Sequence, residues 1–211
     1  MTPAEELADA LRDLVEQVAC ADAPDEALAE ATAAVRATTS RLTAAGTERD
    51  ATSLRFAAGD PWRYRRFSPV SGPLNPLAPP VVYDEVTEAG LEAGVTFGIA
   101  YQGPPGYVHG AFIAGVFDDV LGAANMASGN PGMTVQLNVR YRRATPLRTP
   151  LRVTARHTRR EGRRIYAEAA MYAGGEVTAE AEGIFAEITF ERAQKLFRNG
   201  DGGGSADEQA L

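Results

Sequence analysis

Residues 103–119 read GPPGYVHGAFIAGVFDD, and this stretch decides the fold. A rigid GPPG turn leads into a segment from about His109 to Met126 in which large apolar residues recur at helical spacing. They are Phe112, Ile113, Val116, Phe117, Val120 and Leu121. A helix with so broad an apolar face must be buried against another layer of structure.

The segments around this helix predict that layer to be an antiparallel sheet. Five stretches are rich in β-forming residues, namely 95–101, 133–143, 151–158, 163–173 and 176–190. The alternation is clearest in the second stretch, with Val135, Leu137, Val139 and Tyr141 on one face and Thr134, Gln136, Asn138, Arg140 and Arg142 on the other. One helix on one face of such a sheet makes an α+β fold.

Two helices are predicted before the sheet. Thr2, Pro3 and Glu5 form a capping box with proline at the first helical position. A second helix is expected from Pro24 through Leu42, ending before Gly46. Both are alanine-rich and thinly apolar, so we expect residues 1–46 to be a helical extension that packs on a larger body.

The rest of the chain divides by composition. Residues 47–94 are expected to form a proline-rich wrapping segment and a first strand region, because residues 61–80 hold six prolines. Trp62, Tyr64 and Phe67 are candidates for ordering this segment, which either wraps the body or covers a cleft. Residues 95–192 form the core, and residues 193–211 a flexible glycine-rich tail.

Composition excludes several classes of function. The net charge of -7 among 211 residues argues against a general nucleic-acid binder. With one cysteine, Cys20, and two histidines, neither an intrachain disulfide nor a Cys/His zinc site is possible, and we expect no metal. An acidic start and the lack of a long apolar stretch predict a cytoplasmic protein without a membrane span. Arginines concentrate between Arg140 and Arg164, which is typical either of a site for a phosphate-bearing ligand or of a solvated strand face.

The helix also carries candidate catalytic groups. Unpaired N–H groups at its first turn, around His109 and Gly110, can stabilise a developing oxyanion, and a glycine lets a carbonyl approach. Two carboxylates, Asp118 and Asp119, follow in the apolar helix, either for chemistry or as a pair on its solvated edge. Asp118 lies on a stripe of small residues with Ala111, Gly115 and Gly122.

Gly110 and Asp118 are eight positions apart, which is about 12 Å along one helix. They cannot act on one carbonyl within a single chain. If both serve one reaction, the aspartate must come from a second subunit, so we expect a two-fold dimer with two equivalent sites.

The run YQGPPGYVHGAFIAGVFDDVLG and the later GMTVQLNVRYRRATPL resemble the PaaI-type branch of hotdog-fold acyl-CoA thioesterases, in the 4-hydroxybenzoyl-CoA thioesterase superfamily. That branch carries His-Gly-Gly, an acidic residue nine positions after the histidine, and a strand ending in Tyr/Phe, a basic pair and Pro. The matching positions are His109, Gly110 and Asp118, with Thr134 near the attacking water and Arg142 and Arg143 at the coenzyme A phosphates. Ala111 departs from the pattern, because it replaces the second glycine.

The resemblance implies a hotdog fold, in which an antiparallel sheet wraps around one central helix, and hydrolysis of acyl-CoA to the free acid and CoA. The Gly110 N–H would polarise the carbonyl, and Asp118 of the partner would act as general base or nucleophile. His109 is expected to buttress the turn. No cofactor is implied beyond the CoA of the substrate, and the assembly would be a homodimer, or a tetramer built as a dimer of dimers.

The sequence also bears on two other functions. A non-catalytic acyl-CoA-binding or scaffold protein stays open, because Ala111 and the helical extension are unusual. Residues 71–78 read SGPLNPLA, which has the outline of a hotdog hydratase motif. Pro73 and Ala78 replace its catalytic aspartate and histidine, so the groups that would transfer protons in hydration are absent from this motif.

Overall fold

The computed structural model describes residues 1–46 and 63–188, and the elements follow the order αα-ββ-α-ββββ. The helices are α1 (Pro3–Cys20), α2 (Asp25–Ala45) and α3 (Gly110–Ala127). The strands are β1 (Val82–Thr87), β2 (Gly90–Val95), β3 (Gly132–Tyr141), β4 (Leu151–Glu161), β5 (Arg164–Ala173) and β6 (Glu176–Glu187).

The six strands form one antiparallel sheet in the order β1-β2-β4-β5-β6-β3. Strand β3 comes directly after α3 in the chain but lies at the far edge of the sheet, where it pairs with β6. Among the described residues, its other edge has no partner strand. The predicted α+β hotdog architecture, a sheet wrapped around one central helix, is confirmed.

The core lies between α3 and the inner face of the sheet. Phe117, Leu121 and Val120 of α3 are fully buried, and they face alanines at the middle of the strands, such as Ala93 and Ala167. Small side chains there let the helix sit close to the sheet, so the bulky helical residues fill the space between the two layers. Burial of this apolar surface is the main stabilising contribution to the fold.

The outer face of the sheet carries several arginines of the arginine-rich segment. Across neighbouring strands, Arg156 pairs with Glu168 (2.5 Å between Nη2 and Oε1) and Arg152 with Glu92 (3.6 Å between Nη1 and Oε2). These side chains are about half exposed, so each pair contributes at most about 1 kcal/mol. For this part of the segment, the alternative of a solvated strand face describes the arginines well.

One predicted strand is wrong. Residues 95–101 do not form a strand, because β2 ends at Val95 and residues 99–101 form a single 3₁₀ turn. Phe97 is nevertheless fully buried in the core, and Gly98 precedes the turn. The apolar run therefore contributes to the core but not to the sheet.

Helix α1 begins at the predicted capping box, and α2 covers the predicted segment up to Gly46. Thr2 caps α1 with the reciprocal Glu5 bond of a capping box, and Gly46 follows α2. Every residue of α2 is exposed. On α1 the predicted apolar stripe is largely solvent-facing, with Val18 72% exposed, and polar residues make the contacts with the body. Helix α1 therefore packs on the body, with Ala8 buried, whereas α2 is exposed along its whole length.

The proline-rich segment wraps over α3. It opens with a 3₁₀ turn, Arg63–Phe67, and continues through turns to β1. Val70 contacts Gly115 of α3, where a Cβ would lie 2.9 Å from Val70 Cγ1. Trp62 and the tail from residue 189 lie outside the described residues. Within the described part of the chain, no helix has both the length and the apolar character needed to span a membrane.

Candidate functional site

At the first turn of α3, the Gly110 N–H is open to partners from outside the described residues. His109 is the N-cap, and its Nδ1 accepts the Ala111 N–H at 3.1 Å. None of the hydrogen bonds among the described residues uses the Gly110 N–H. The predicted buttressing role of His109 therefore fits the geometry, because the cap occupies the Ala111 amide and leaves the Gly110 amide available at the positive end of the helix dipole.

Tyr141 at the end of β3 lies against Gly110. Its hydroxyl donates to the Gly110 carbonyl at 2.9 Å, and a Cβ on Gly110 would lie 3.1 Å from that hydroxyl oxygen. The space that glycine leaves is thus bordered by the phenol of Tyr141. Glycine at this position therefore permits close contact with the Tyr141 side chain of the same chain. The sequence did not indicate this contact.

Asp118 and Thr134 form the second part of the site. The Thr134 hydroxyl donates to Asp118 Oδ1 at 2.7 Å. The sequence placed Thr134 on the polar face with Gln136, and that is wrong. The β3–β6 register shifts between Thr134 and Gln136, which marks a bulge. The bulge turns Thr134 to the α3 face of the sheet, where its partner on β6 is the buried Phe185. Bulges next to functional sites often redirect a side chain in this way.

Asp119 has a different role from its neighbour. Its carboxylate forms an ion pair with Arg65 and accepts the Tyr83 hydroxyl at 2.7 Å and the Ser68 hydroxyl at 3.2 Å. The side chains of Arg65 and Asp119 are 8% and 11% exposed. Burial raises the pKa of the Tyr83 phenol, and the Asp119 carboxylate adds to that effect. Asp119 thus joins the proline-rich segment and β1 to α3, whereas Asp118 Oδ2 has no hydrogen-bond partner in the described part of the chain.

Arg142 and Arg143 both have carboxylate partners on β6. Arg142 Nε lies 2.6 Å from Glu180 Oε2, and Arg143 Nη1 lies 2.9 Å from Glu176 Oε2. All four side chains are substantially exposed. The neighbours of Glu180 on β6 are buried, so Glu180 and Arg142 lie on the outer face of the sheet, away from α3. A phosphate there would compete with exposed glutamates, which hold an arginine only weakly.

The sequence-derived residues thus fall into two separate groups on one chain. Gly110, His109 and Ala111 lie at the first turn of α3, and Asp118 with Thr134 lies two turns further along. The unbroken helix between them keeps the two groups about 12 Å apart. Each group alone is half of a site for acyl transfer: a donor for an oxyanion, and an oriented carboxylate. Among the described residues, no His, Cys, Asp and Glu side chains gather into a metal-binding group.

Comparison with known proteins gives three relevant matches. The family model described as "Thioesterase superfamily" matches residues 105–180. Over 97 residues the chain is 31% identical to acyl-coenzyme A thioesterase THEM4 of Mus musculus, which covers 45% of this chain and 42% of that protein. A crystal structure described as a thioesterase superfamily protein is 33% identical, with a TM-score of 0.79, and the likeness covers 88% of this chain and 91% of that one.

The chain belongs to the thioesterase superfamily.

The likeness to that thioesterase superfamily structure extends beyond the sheet and its central helix. The stretch from β1 to the C terminus makes up about six-tenths of the sequence, whereas the likeness to the crystal structure covers 88%. Much of the segment before β1 is therefore shared with that thioesterase superfamily protein. The curated relatives are matched over a smaller part, since the chain spans about four-tenths of the length of mouse THEM4.

Sequence reasoning missed two features of this thioesterase superfamily site. Tyr141 was assigned only to the apolar face of a strand, although its position before a basic pair marked the end of β3 near the helix. Arg65 lies in the proline-rich segment and pairs with Asp119 some 50 residues away, and no local pattern indicates that contact. The adjacent carboxylates were noticed, but only tertiary contacts distinguish them.

Proposed function

We propose that this thioesterase superfamily protein hydrolyses acyl-CoA thioesters to a free acid and CoA. The observation that carries the proposal is the Thr134–Asp118 hydrogen bond of 2.7 Å, formed where a bulge turns Thr134 toward the helix. A carboxylate with one oxygen held and the other open is oriented to meet a water or a carbonyl carbon. The names of the curated relatives, acyl-coenzyme A thioesterases, support the same substrate class.

The reaction needs both groups of the site. The Gly110 N–H donates to the thioester carbonyl oxygen as it becomes an oxyanion. A water oxygen bonds to the carbonyl carbon while Asp118 accepts a proton from that water, and the C–S bond then breaks with the thiolate of CoA leaving. The thiolate takes up a proton to give the free thiol. In the alternative route, the Asp118 carboxylate attacks first and water hydrolyses the resulting anhydride.

A second copy of the chain would supply the missing half of each site. Strand β3 is ten residues long and lies at the edge of the sheet, with Met133 41% and Val135 53% exposed. Long, apolar edge strands are normally covered in native proteins, because they otherwise lead to aggregation. Thr134 lies on this strand and Asp118 faces it, so a copy that pairs there would bring its own α3 close to them. This supports a homodimer with the two half-sites contributed by different subunits.

The finer features of the substrate follow from the PaaI-type resemblance. Arg142 and Arg143 would bind the phosphates of CoA after exchanging their glutamate partners for phosphate. Ala111 is exposed beside the first turn, so its methyl group would border the thioester. The reaction as proposed draws only on side chains and amides of this protein.

One variant removes the proposed oxyanion donor and little else. Gly110 is the first residue of α3, where proline is well tolerated, and His109 has the extended backbone (φ -65°, ψ 131°) that precedes proline. Gly110→Pro deletes the N–H, and Gly110→Ala is the matched control that adds a Cβ but keeps the N–H. With a panel of acyl-CoA esters and thiol release as the assay, we expect Gly110→Pro to lose about 10²–10³ in kcat relative to Gly110→Ala. Equal rates would contradict the oxyanion role.

The subunit assignment has its own test by complementation. Asp118→Asn should lose about 10²–10⁴ in kcat while still binding the ester. A heterodimer of Asp118→Asn with Gly110→Pro would contain one intact site, so purified heterodimer should recover about half the parental activity. If both groups acted within one chain, the heterodimer would stay inactive. A parent that binds acyl-CoA esters without releasing thiol would instead identify an acyl-CoA-binding protein.

A further inference from the structure

The guanidinium of Arg12 holds helix α1 on the body by hydrogen bonds to four backbone carbonyls. Arg12 donates to the carbonyls of Ala78 (3.0 Å), Gly72 (3.2 Å), Pro73 (3.1 Å) and Asn75 (3.0 Å). Its side chain is only 13% exposed. These bonds fix α1 against the proline-rich segment in one register, so the next residues along the same face of the helix have a defined position.

Glu16, one turn further on, reaches the 3₁₀ turn of residues 99–101. Its Oε2 accepts the Ala100 N–H at 3.2 Å, and its Oε1 accepts from Arg148 at 3.0 Å. A Cβ at position 98 would overlap the Glu16 carboxylate, so only glycine at that position permits this approach. Burial tends to raise the Glu16 pKa, but bonds from the Ile99 and Ala100 amides and from Arg148 outweigh it, and the pKa is lowered.

The turn that Glu16 holds is joined directly to the start of α3. The Tyr101 carbonyl accepts the His109 N–H at 2.9 Å, and the Tyr101 ring contacts Phe112 edge-on with centroids 4.9 Å apart. On the other side, Arg148 donates its own N–H to the Phe97 carbonyl at 2.8 Å. Arg148 has φ +52°, in the left-handed region that favours glycine, so its backbone is held there at some cost by these contacts.

We propose that Glu16 is a positioning residue for the Gly110 amide, and that α1 is part of the catalytic architecture. The carboxylate fixes the turn at 99–101, the Tyr101 carbonyl fixes the His109 N–H, and the peptide between His109 and Gly110 carries the donor. An oxyanion donor must keep its place within a fraction of an ångström, because misplacement by 1 Å can cost about 10²-fold in rate. The proposal rests on the role of Gly110 given under Proposed function.

Two substitutions should disturb the contact between the Glu16 carboxylate and the turn at residues 99–101, one from each side. Glu16→Ala removes the carboxylate, and Gly98→Ala displaces it, although the backbone at Gly98 (φ -82°, ψ -174°) suits alanine. Asp13→Ala is the matched control, since Asp13 is an exposed carboxylate on the same helix and has no hydrogen bond among the described residues. Glu16→Gln keeps an amide oxygen for the backbone N–H groups and should rescue most of the loss.

Two measurements separate positioning from general stability. We expect Glu16→Ala and Gly98→Ala to lower kcat about tenfold to a hundredfold with KM changed less than threefold. The Gly98→Ala/Glu16→Ala double variant should be no worse than Glu16→Ala, because the overlap is then relieved. Hydrogen exchange of the backbone amides of residues 99–112 should quicken about tenfold in both single variants and stay unchanged in Asp13→Ala.

The exchange measurement does not depend on activity. Exchange and kcat within twofold of the parent in Glu16→Ala would overturn the proposal, as would equal effects in Asp13→Ala. Faster local exchange with a normal kcat would also overturn it, because the turn would then be held but not used. A parent without thiol release would contradict the proposed function, and unchanged exchange would separately contradict the link from α1 to the turn.

Discussion

The two adjacent aspartates of α3 should respond to the same substitution in opposite ways. Asp119→Asn keeps the shape of the side chain but removes the charge that faces Arg65, whose side chain is 8% exposed. An amide oxygen in the place of Oδ2 can still accept from the Tyr83 hydroxyl (2.7 Å), and the amide N–H₂ in the place of Oδ1 can donate to the Ser68 hydroxyl (3.2 Å). The main change is therefore a buried guanidinium without its counter-charge.

The expected loss of stability follows from that burial. Removing one partner of a buried ion pair costs about 3–5 kcal/mol, because the remaining charge cannot return to water. For a domain of this size, each kcal/mol corresponds to about 2–4 °C in Tm, which gives a decrease of about 6–20 °C. Asp118→Asn should cost less than about 1 kcal/mol, since Asp118 is only partly buried and an amide oxygen can still accept from Thr134.

Urea denaturation followed by circular dichroism measures the loss of stability, and thiol release from acyl-CoA esters measures the loss of activity. We expect Asp119→Asn to lower the urea midpoint while the folded fraction keeps a kcat within about tenfold of the parent. Asp118→Asn should show the reverse, a nearly unchanged midpoint and a kcat reduced by about 10²–10⁴. Asp119 is not the structural aspartate if Asp119→Asn abolishes turnover at full stability. Asp118 is not the catalytic one if Asp118→Asn by itself unfolds the protein.

Three further measurements address single contacts. Thr134→Val removes the hydroxyl bonded to Asp118 without changing shape, and should lower kcat about tenfold or more with less than about 1 kcal/mol of stability lost; an unchanged kcat would remove Thr134 from the site. The raised pKa of Tyr83 means that, above the unfolded value of about 10, only the unfolded chain loses this proton, so the free energy of unfolding should fall by about 1.4 kcal/mol per pH unit in the parent and more gently in Tyr83→Phe. Equal slopes in urea titrations between pH 9.5 and 11 would contradict that. Arg143→Ala should raise KM about fivefold for an acyl-CoA ester but not for the acyl-pantetheine that lacks the phosphates, and equal increases would place Arg143 away from them.

Much of the fold could be predicted from the sequence because its signals are local. The apolar spacing from Phe112 to Leu121 required a buried helix, the capping box at Thr2 fixed the start of α1, and alternating residues indicated most of the strands. The run at residues 95–101 was misassigned, because a short apolar stretch has no period that distinguishes a strand from a buried turn. The candidate residues Gly110, Asp118 and Thr134 were also identified from local pattern and resemblance.

What the sequence determined by itself, then, is the amphipathic order of the elements and the eight-residue separation of two candidate groups on one helix, since both follow from covalent spacing and helical geometry. Only the tertiary structure decided which aspartate is tied to Arg65, which face Thr134 occupies after the bulge, and that Glu16 reaches the turn before α3. The physical reason is that these depend on the register of β3 against β6 and on contacts between residues 50 to 130 positions apart. Such contacts form only when the whole chain has packed, and they leave no periodic signal in the residues that make them.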